Sequence, residues 1–158
     1  MSDVSIATPE KVDEDWHLSQ EKFVKSFKYS KPESEFRGGK GERVIVNLGR
    51  TDIVRGLVHV FKSGGEGSLH YHSTIDSFWF VLKGKVRFYN KDDGLIGEYA
   101  VHEGLLMPRG ARYWFEQVGE ETLELLHVSA FSQSNVESGR THIRSSPVAE
   151  GSVRVISV

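Results

Sequence analysis

Two histidines separated by a single residue, His70 and His72, are the residues of this sequence best suited to chemistry. On a β-strand, alternate side chains point to the same face, so both imidazoles can reach one ion or one ligand. Neutral imidazole is a common ligand of divalent transition metals. The spacing therefore predicts that His70 and His72 bind one divalent transition metal, with Fe, Zn, Ni and Mn as the candidates.

The segments around the two histidines indicate which secondary structure positions them. Nine short segments rich in apolar and aromatic residues are separated by turn residues, at 43–47, 53–62, 68–71, 77–82, 85–89, 97–101, 105–107, 112–118 and 122–131. No helix-length periodic stretch interrupts them, so they predict an all-β sandwich or barrel. Residues 78–82 are all apolar, which indicates a strand covered on both faces. We expect one face to fill the barrel and the other to lie under the N-terminal arm or under the second subunit of a homodimer.

The spacing within two of these segments resembles that of the cupin superfamily. The first cupin motif has a glycine, an H-x-H pair, a carboxylate and a glycine, and the corresponding positions are Gly64, His70, His72, Ser77 and Gly84. The second motif has a glycine, P-x-G, a histidine and an asparagine, and its positions are Gly104, Pro108, Gly110, Tyr113 and Gln117. The resemblance implies a small jelly-roll barrel, also called a double-stranded β-helix, which is usually dimeric. Many members of the superfamily bind one divalent metal inside the barrel.

Two of the four positions that usually ligate the metal are changed in this chain. Ser77 stands at the carboxylate position and Tyr113 at the histidine position of the second motif. Either His59 or His127 could complete a three-histidine site, or Tyr113 could ligate as a phenolate. Parity along the last predicted strand places His127 inward, because Glu124 then falls on the other face. The direction of His59 is left open.

Further roles are predicted for the residues around the H-x-H pair. Tyr113 and His127 are the candidate catalytic residues, which would move protons as acid and base. Four residues are predicted to contact a substrate: Ser77, Trp79, Arg109 and Gln117. Ser77 leaves room for a ligand, Trp79 offers a stacking wall, and Arg109 could hold a carboxylate or phosphate near the barrel mouth. A plain core position for Trp79 and a solvated loop for Arg109 are the alternatives.

The two ends of the chain differ in composition from the middle. We assign residues 1–42 to an N-terminal arm, 43–132 to the cupin barrel and 133–158 to a polar C-terminal tail. The arm contains a typical helix start at Thr8-Pro9-Glu10. It is followed by apolar residues at helical spacing: Val12, Trp16, Phe23 and Phe27. We therefore expect short helices that dock on the barrel or on a partner subunit, and a partly disordered arm is the alternative. The tail is expected to be mainly extended on the surface, with an edge strand near 153–156 as the alternative.

Composition excludes several classes of protein. The 158 residues include no Cys, which removes disulfides, thiolate metal sites and cysteine nucleophiles. A net charge of −2 gives no field that would attract nucleic acid or an anionic membrane, and no apolar run is long enough to span a bilayer. The polar, acidic N-terminus is unlike a signal peptide. We therefore expect a soluble, cytoplasmic protein whose partners are a small molecule and a second copy of the chain.

Three functions are compatible with these residues. The first is a cupin-domain protein that binds a small polar molecule in the barrel, as a divalent-metal-dependent oxygenase, isomerase or lyase with a degenerate metal site. The second is a metal-free sugar-nucleotide isomerase or epimerase, which cupin-like enzymes make relevant by resemblance. The third is a non-catalytic module for small-ligand binding or oligomerisation. The sequence leaves open whether the chain is an enzyme.

Overall fold

Strands dominate the described part of the chain. The computed structural model describes residues 13–132, 140–148 and 150–158. These residues form one α-helix, one 3-10 helix and eleven strands: α1 (Glu14–Glu21), the 3-10 helix (Glu33–Glu35), β1 (Arg43–Arg50), β2 (Val54–Phe61), β3 (Gly65–His72), β4 (Ile75–Lys83), β5 (Val86–Tyr89), β6 (Leu95–Tyr99), β7 (Gly104–Met107), β8 (Tyr113–Gln117), β9 (Leu123–Phe131), β10 (Arg140–Arg144) and β11 (Val153–Ser157). Each of the nine predicted segments overlaps one of β1–β9, and the predicted all-β class is confirmed.

The strands form two facing sheets. One sheet has the order β11-β1-β2-β9-β4-β7 and the other has the order β10-β3-β8-β5-β6. From β2 to β5 the chain passes from one sheet to the other at every turn, and it does so again from β6 to β9. This winding is that of a jelly-roll barrel, in which side chains from two inner faces share one core.

The C-terminal segment is part of both sheets. β10 pairs antiparallel with β3, and β11 pairs parallel with β1. Where the sequence predicts a mainly extended surface tail, with an edge strand near 153–156 as the alternative, the structure has two largely exposed edge strands. The sequence of β10, RTHIR, has only one strongly apolar residue, so it becomes a strand because an exposed sheet edge supplies its hydrogen bonds rather than because of its own propensity.

The N-terminal arm begins, within the described residues, with a short exposed helix. Asp13 caps α1, since its carboxylate accepts a hydrogen bond of 2.9 Å from the backbone N–H of Trp16. No residue of α1 is buried. The predicted helix start at residues 8–10 and the first residue of the stripe, Val12, lie outside the described residues. Further along the arm, Tyr29 and Phe36 pack on the outer face of the six-stranded sheet.

The core lies between the sheets. A cluster of aromatic and aliphatic side chains fills this space: Phe61, Trp79, Val81, Val86, Phe88, Met107, Tyr113, Phe115, Leu123 and Leu125. Along β4, Trp79 and Val81 point into it, whereas Phe78 points outward and is half exposed. No helix among the described residues has the length and hydropathy of a membrane span.

Glycines of the two cupin-like motifs stand where a larger residue would not fit. A Cβ atom on Gly104 would come within 1.9 Å of the backbone carbonyl oxygen of Trp79, across the β4–β7 pair. Gly84, in the turn after β4, has a φ of +79°, which other residues rarely adopt. These glycines therefore hold β4 and its neighbours in register, and β4 carries Ser77 and Trp79 into the barrel.

Candidate functional site

A cavity of about 370 Å³ lies inside the barrel. Its lining comes from both sheets: from β1, β2, β4, β9 and β11 of the six-stranded sheet, and from β3, β8 and β10 of the other. A cavity of this size lies at the small end of the range for small-molecule sites. The C-terminal segment contributes directly to it through Arg140 and Val155.

The cavity wall on β1 is the polar face of that strand. Arg43, Ile45 and Asn47 line the cavity, whereas Val44 and Val46 are buried on the opposite face. This arrangement reverses the usual pattern of a half-exposed strand, in which polar residues face water. It is possible because the arm covers the outer face of β1 and β2, so both faces are shielded from solvent.

A buried carboxylate lies between two guanidinium groups at one side of the cavity. Oε2 of Glu66 is 2.7 Å from Nη1 of Arg43, and Oε1 is 2.6 Å from Nη1 of Arg140. Burial alone would raise the pKa of Glu66, but the two positive charges outweigh it and lower the pKa to about 2. Glu66 is therefore ionised at neutral pH and shares its charge between two arginines.

The two histidines of the H-x-H pair point to the same side of β3, with ring centroids 5.3 Å apart. His72 lines the cavity, but His70 is fully buried, and its Nδ1 lies 2.7 Å from the carbonyl oxygen of Ser68. Burial lowers the pKa of His70 to about 4 and also lowers the pKa of His72, so both rings are neutral at pH 7.

His127 is the centre of a buried hydrogen-bonded group. It points inward, as the parity of β9 predicts, and its Nε2 lies 2.9 Å from Oγ of Ser77 and 3.2 Å from Oγ of Ser129. Its Nδ1 lies 3.3 Å from Nε2 of His59, which also points inward. The ring of Trp79 stacks on His127 with 3.7 Å between centroids. Both ring nitrogens of His127 are therefore already engaged by protein groups.

Burial determines the protonation states of His59, His127 and Tyr113. It lowers the pKa of His59 to about 3 and holds the pKa of His127 well below its usual range, so both are neutral. Burial also raises the pKa of Tyr113, which keeps that side chain a phenol rather than a phenolate. The cavity therefore holds neutral imidazoles and a neutral phenol beside fixed arginine charges.

The structure brings some of the predicted site residues together and leaves others apart. His72, Tyr113, His127 and Trp79 line the cavity, and Ser77 lies beside His127. Arg109 is exposed, with its backbone N–H bonded to Asp76, and it does not line the cavity. The side chain of Gln117 donates to the backbone carbonyl of Glu121 and is also outside the lining.

Sequence reasoning missed the charged residues of the cavity. These are Arg43, Arg50, Arg55, Glu66 and Arg140. The alternation of polar and apolar residues along β1 was the available signal, but it would ordinarily assign the polar face to solvent. Arg140 offers no local signal, since only the pairing of β10 with β3 carries it to the cavity.

The residues present do not fit the divalent metal that the cupin resemblance implies. No group of three or more His, Cys, Asp or Glu side chains in the described part of the chain is arranged to hold a metal ion. Both oxygens of Glu66 are occupied by guanidinium groups, whose positive charges would also repel a cation. Tyr113 is held neutral, and Ser77 has no charge to offer. Catalytic metal sites generally have three protein ligands.

Comparison with known proteins agrees with the fold. Residues 57–129 match the family model described as Cupin domain. No curated protein matches the sequence. Many solved structures resemble this chain in fold, among them three that are less than 20% identical to it.

The solved structures span bacteria and yeast. An uncharacterised protein with a double-stranded β-helix domain from Klebsiella pneumoniae has a TM-score of 0.59 and 15% identity, over 74% of this chain and 92% of its own. A cupin superfamily protein from Desulfitobacterium hafniense has a TM-score of 0.53 and 17% identity, over 69% of this chain and 98% of its own. The cupin domain of Schizosaccharomyces pombe Cnp3 has a TM-score of 0.51 and 17% identity, over 56% of this chain and 64% of its own. Residues 57–129 of this chain therefore match a cupin domain, and the two-sheet fold is shared with these cupin structures.

Proposed function

We propose that this cupin binds a small organic anion in its barrel cavity and that this binding needs no metal ion. The observation that carries the proposal is the charge of the lining, which among the described residues has four guanidinium groups and a single carboxylate: Arg43, Arg50, Arg55 and Arg140 against Glu66. The histidines of the lining are neutral, so they leave this net charge unchanged. A partly buried positive charge of this kind favours an anion and opposes a cation.

Unsatisfied donors support the same proposal. Among the described residues, the Nε groups of Arg43, Arg55 and Arg140 and the indole Nε1 of Trp79 are buried without a hydrogen-bond partner. Buried N–H groups are normally paired, and leaving one unpaired is costly. A ligand rich in acceptor oxygens, such as a carboxylate, is the chemical complement of a wall with a surplus of donors.

The protonation of the cavity favours binding over proton transfer. A general base works best when its pKa lies near the working pH. Burial lowers the pKa of His59 to about 3 and raises the pKa of Tyr113, so each is poorly suited to proton transfer at neutral pH. Both ring nitrogens of His127 are also occupied. Metal-free acid–base catalysis by Tyr113 and His127 therefore ranks second to binding.

Thermal unfolding in the presence of small anions tests the proposal. Acetate, benzoate, citrate and inorganic phosphate are each compared with KCl at the same ionic strength, and acetamide and benzamide serve as uncharged controls. An anion present at 100 times its Kd should stabilise the fold by about 2.7 kcal/mol. For a chain of this length, that corresponds to a rise in Tm of roughly 5–10 °C.

The same shift is expected after dialysis against EDTA, because the arginines rather than a metal hold the ligand. A protein whose Tm responds to none of these anions more than to KCl would contradict the proposal. So would a response that disappears with EDTA and returns with added Zn²⁺ or Mn²⁺, since the metal-dependent alternative would then be favoured.

We further propose that the protein is a homodimer that joins through the outer face of the six-stranded sheet. Val128, Phe78 and Leu106 stand in one cross-strand row on β9, β4 and β7, and Phe78 and Leu106 are 50% and 66% exposed. A contiguous apolar row of this kind is typical of an interaction surface. Because the two copies of a twofold dimer present the same patch, the row can pair with itself.

Sedimentation equilibrium checks the dimer. We expect the wild-type chain to have twice the mass of one chain, and the double variant Phe78→Lys/Leu106→Lys to be a monomer with an unchanged circular dichroism spectrum. The matched control is Ile96→Lys on β6, an exposed apolar residue of the other sheet, which should remain dimeric. A wild-type monomer at micromolar concentration would refute this interface.

A further inference from the structure

Two arginines of the cavity have no acidic partner in the part of the chain that the structure describes. Arg50 ends β1, and Arg55 lies directly opposite it on β2. Both line the cavity. None of the ion pairs among the described residues includes either side chain, although Asp52 lies in the turn that joins the two strands.

An aromatic ring holds both guanidinium groups in place. The guanidinium carbon of Arg50 lies 4.8 Å from the centroid of Phe131, and that of Arg55 lies 5.5 Å from it. Contact with an aromatic face is favourable for arginine and restricts its motion. Both positive groups therefore lie against the same ring.

This arrangement is costly for the protein without a ligand. Like charges directly opposite each other on paired strands are destabilising. Burial, together with the charge of Arg50, lowers the pKa of Arg55. An anion placed between the two guanidinium groups would remove this repulsion.

The other two arginines of the lining are paired with a carboxylate. Arg43 and Arg140 share the carboxylate of Glu66, which balances much of their charge. Most of the unbalanced positive charge of the cavity therefore lies at Arg50 and Arg55. Planar guanidinium groups bind the two oxygens of a carboxylate or a phosphate through paired N–H donors.

We propose that Arg50 and Arg55 form a clamp for the oxyanion group of the ligand, a carboxylate or a phosphate. The inference rests on the proposed function, since it specifies which part of the same cavity holds the charge. The rest of the ligand then lies toward Leu57, Trp79 and His72, a mixed apolar and hydrogen-bonding wall. The ligand class is a small molecule with a charged end and an uncharged body.

Isothermal titration calorimetry on the full chain tests the clamp. The probes are acetate and benzoate for carboxylates and inorganic phosphate for phosphates, with benzamide as the uncharged form of benzoate. The variants are Arg50→Gln, Arg55→Gln and the double variant. Arg112→Gln is the matched control, because Arg112 is exposed and lies outside the cavity lining.

Each single variant should bind the preferred anion at least about tenfold more weakly than wild type, since a charge-assisted hydrogen bond is lost. The double variant should show no measurable binding, and Arg112→Gln should match wild type. Arg50→Lys and Arg55→Lys should bind with intermediate affinity, because they keep the charge but lose the planar pair of donors. The preferred probe then identifies the oxyanion as a carboxylate or a phosphate.

The unliganded variants give a second readout. The Tm of Arg50→Gln without ligand should equal or exceed that of wild type, because the repulsion between the arginines is relieved. Anion binding that is equal in wild type, Arg50→Gln and Arg55→Gln would overturn the clamp and leave the proposed function standing. Absence of anion binding by the wild-type protein would overturn both.

Discussion

Replacing Glu66 with glutamine should destabilise the folded protein by about 3–5 kcal/mol. The substitution keeps the size of the side chain but removes its charge, and it leaves Arg43 and Arg140 as neighbouring cations with no shared anion. Removing one member of a buried ion pair is costly because the remaining charge has no compensation. Urea unfolding at pH 7 measures the change in the free energy of unfolding.

Two companion variants make this test specific. Glu98→Gln removes a carboxylate that pairs with Arg87 and Lys85 on the surface, and it should destabilise the protein far less than Glu66→Gln. The double variant Glu66→Gln/Arg140→Gln should be more stable than Glu66→Gln alone, because one of the uncompensated charges is gone. If Glu66→Gln and Glu98→Gln cost the same, the buried position of Glu66 has no special role.

The pH dependence of stability follows from the same carboxylate. Its pKa in the folded protein is about 2, against an ordinary value of 4.5, so its contribution is fully present above pH 4.5 and is lost as the pH falls toward 2. The difference in unfolding free energy between wild type and Glu66→Gln should therefore shrink over this range. The buried neutral histidines also reduce stability below about pH 6.5, but they do so in both proteins.

Replacing Trp79 with alanine should have a similarly large effect, about 3–5 kcal/mol of lost stability. Trp79 is 1% exposed, stacks on His127 and packs edge-on against Phe115 in the barrel core. Its removal would leave a void that the closely packed strands cannot close, and it would also open one wall of the ligand cavity. Guanidinium chloride unfolding measures the loss, and calorimetry with the preferred anion measures the effect on the cavity.

The controls for Trp79→Ala separate packing from simple loss of an aromatic residue. Trp79→Phe keeps part of the volume and should cost less than the alanine variant. Trp16→Ala removes a tryptophan that is 50% exposed on α1, and it should change stability by no more than about 0.5 kcal/mol. A cost below about 1 kcal/mol for Trp79→Ala would show that this ring is not part of a rigid core.

The barrel itself could be predicted from local signals. Short apolar segments and turn residues mark β1–β9, and the spacing of Gly64, His70, His72 and Gly84 resembles one cupin motif. Parity along β9 was enough to turn His127 inward, because Glu124 had to face the other way. Such arguments succeed since strand geometry depends on neighbouring residues and alternates with a period of two.

The charged half of the candidate site could not be predicted in this way. Arg43 and Asn47 line the cavity only because the arm covers the apolar face of β1, and no local rule reveals which face of a strand will be covered. Gln117 shares the strand of Tyr113 but turns to the carbonyl of Glu121 instead of the cavity. The roles of Tyr113 and His127 in proton transfer stay predictions.

The sequence by itself determined an all-β barrel of the cupin kind, with imidazoles and aromatic rings on its inner face. Only the tertiary structure decided that arginines dominate the cavity. It did so by pairing β10 with β3, which brings Arg140 to Glu66 from 74 positions further along the chain. Contacts between distant segments set the net charge of an enclosed space, and that charge decides whether the space suits a cation or an anion.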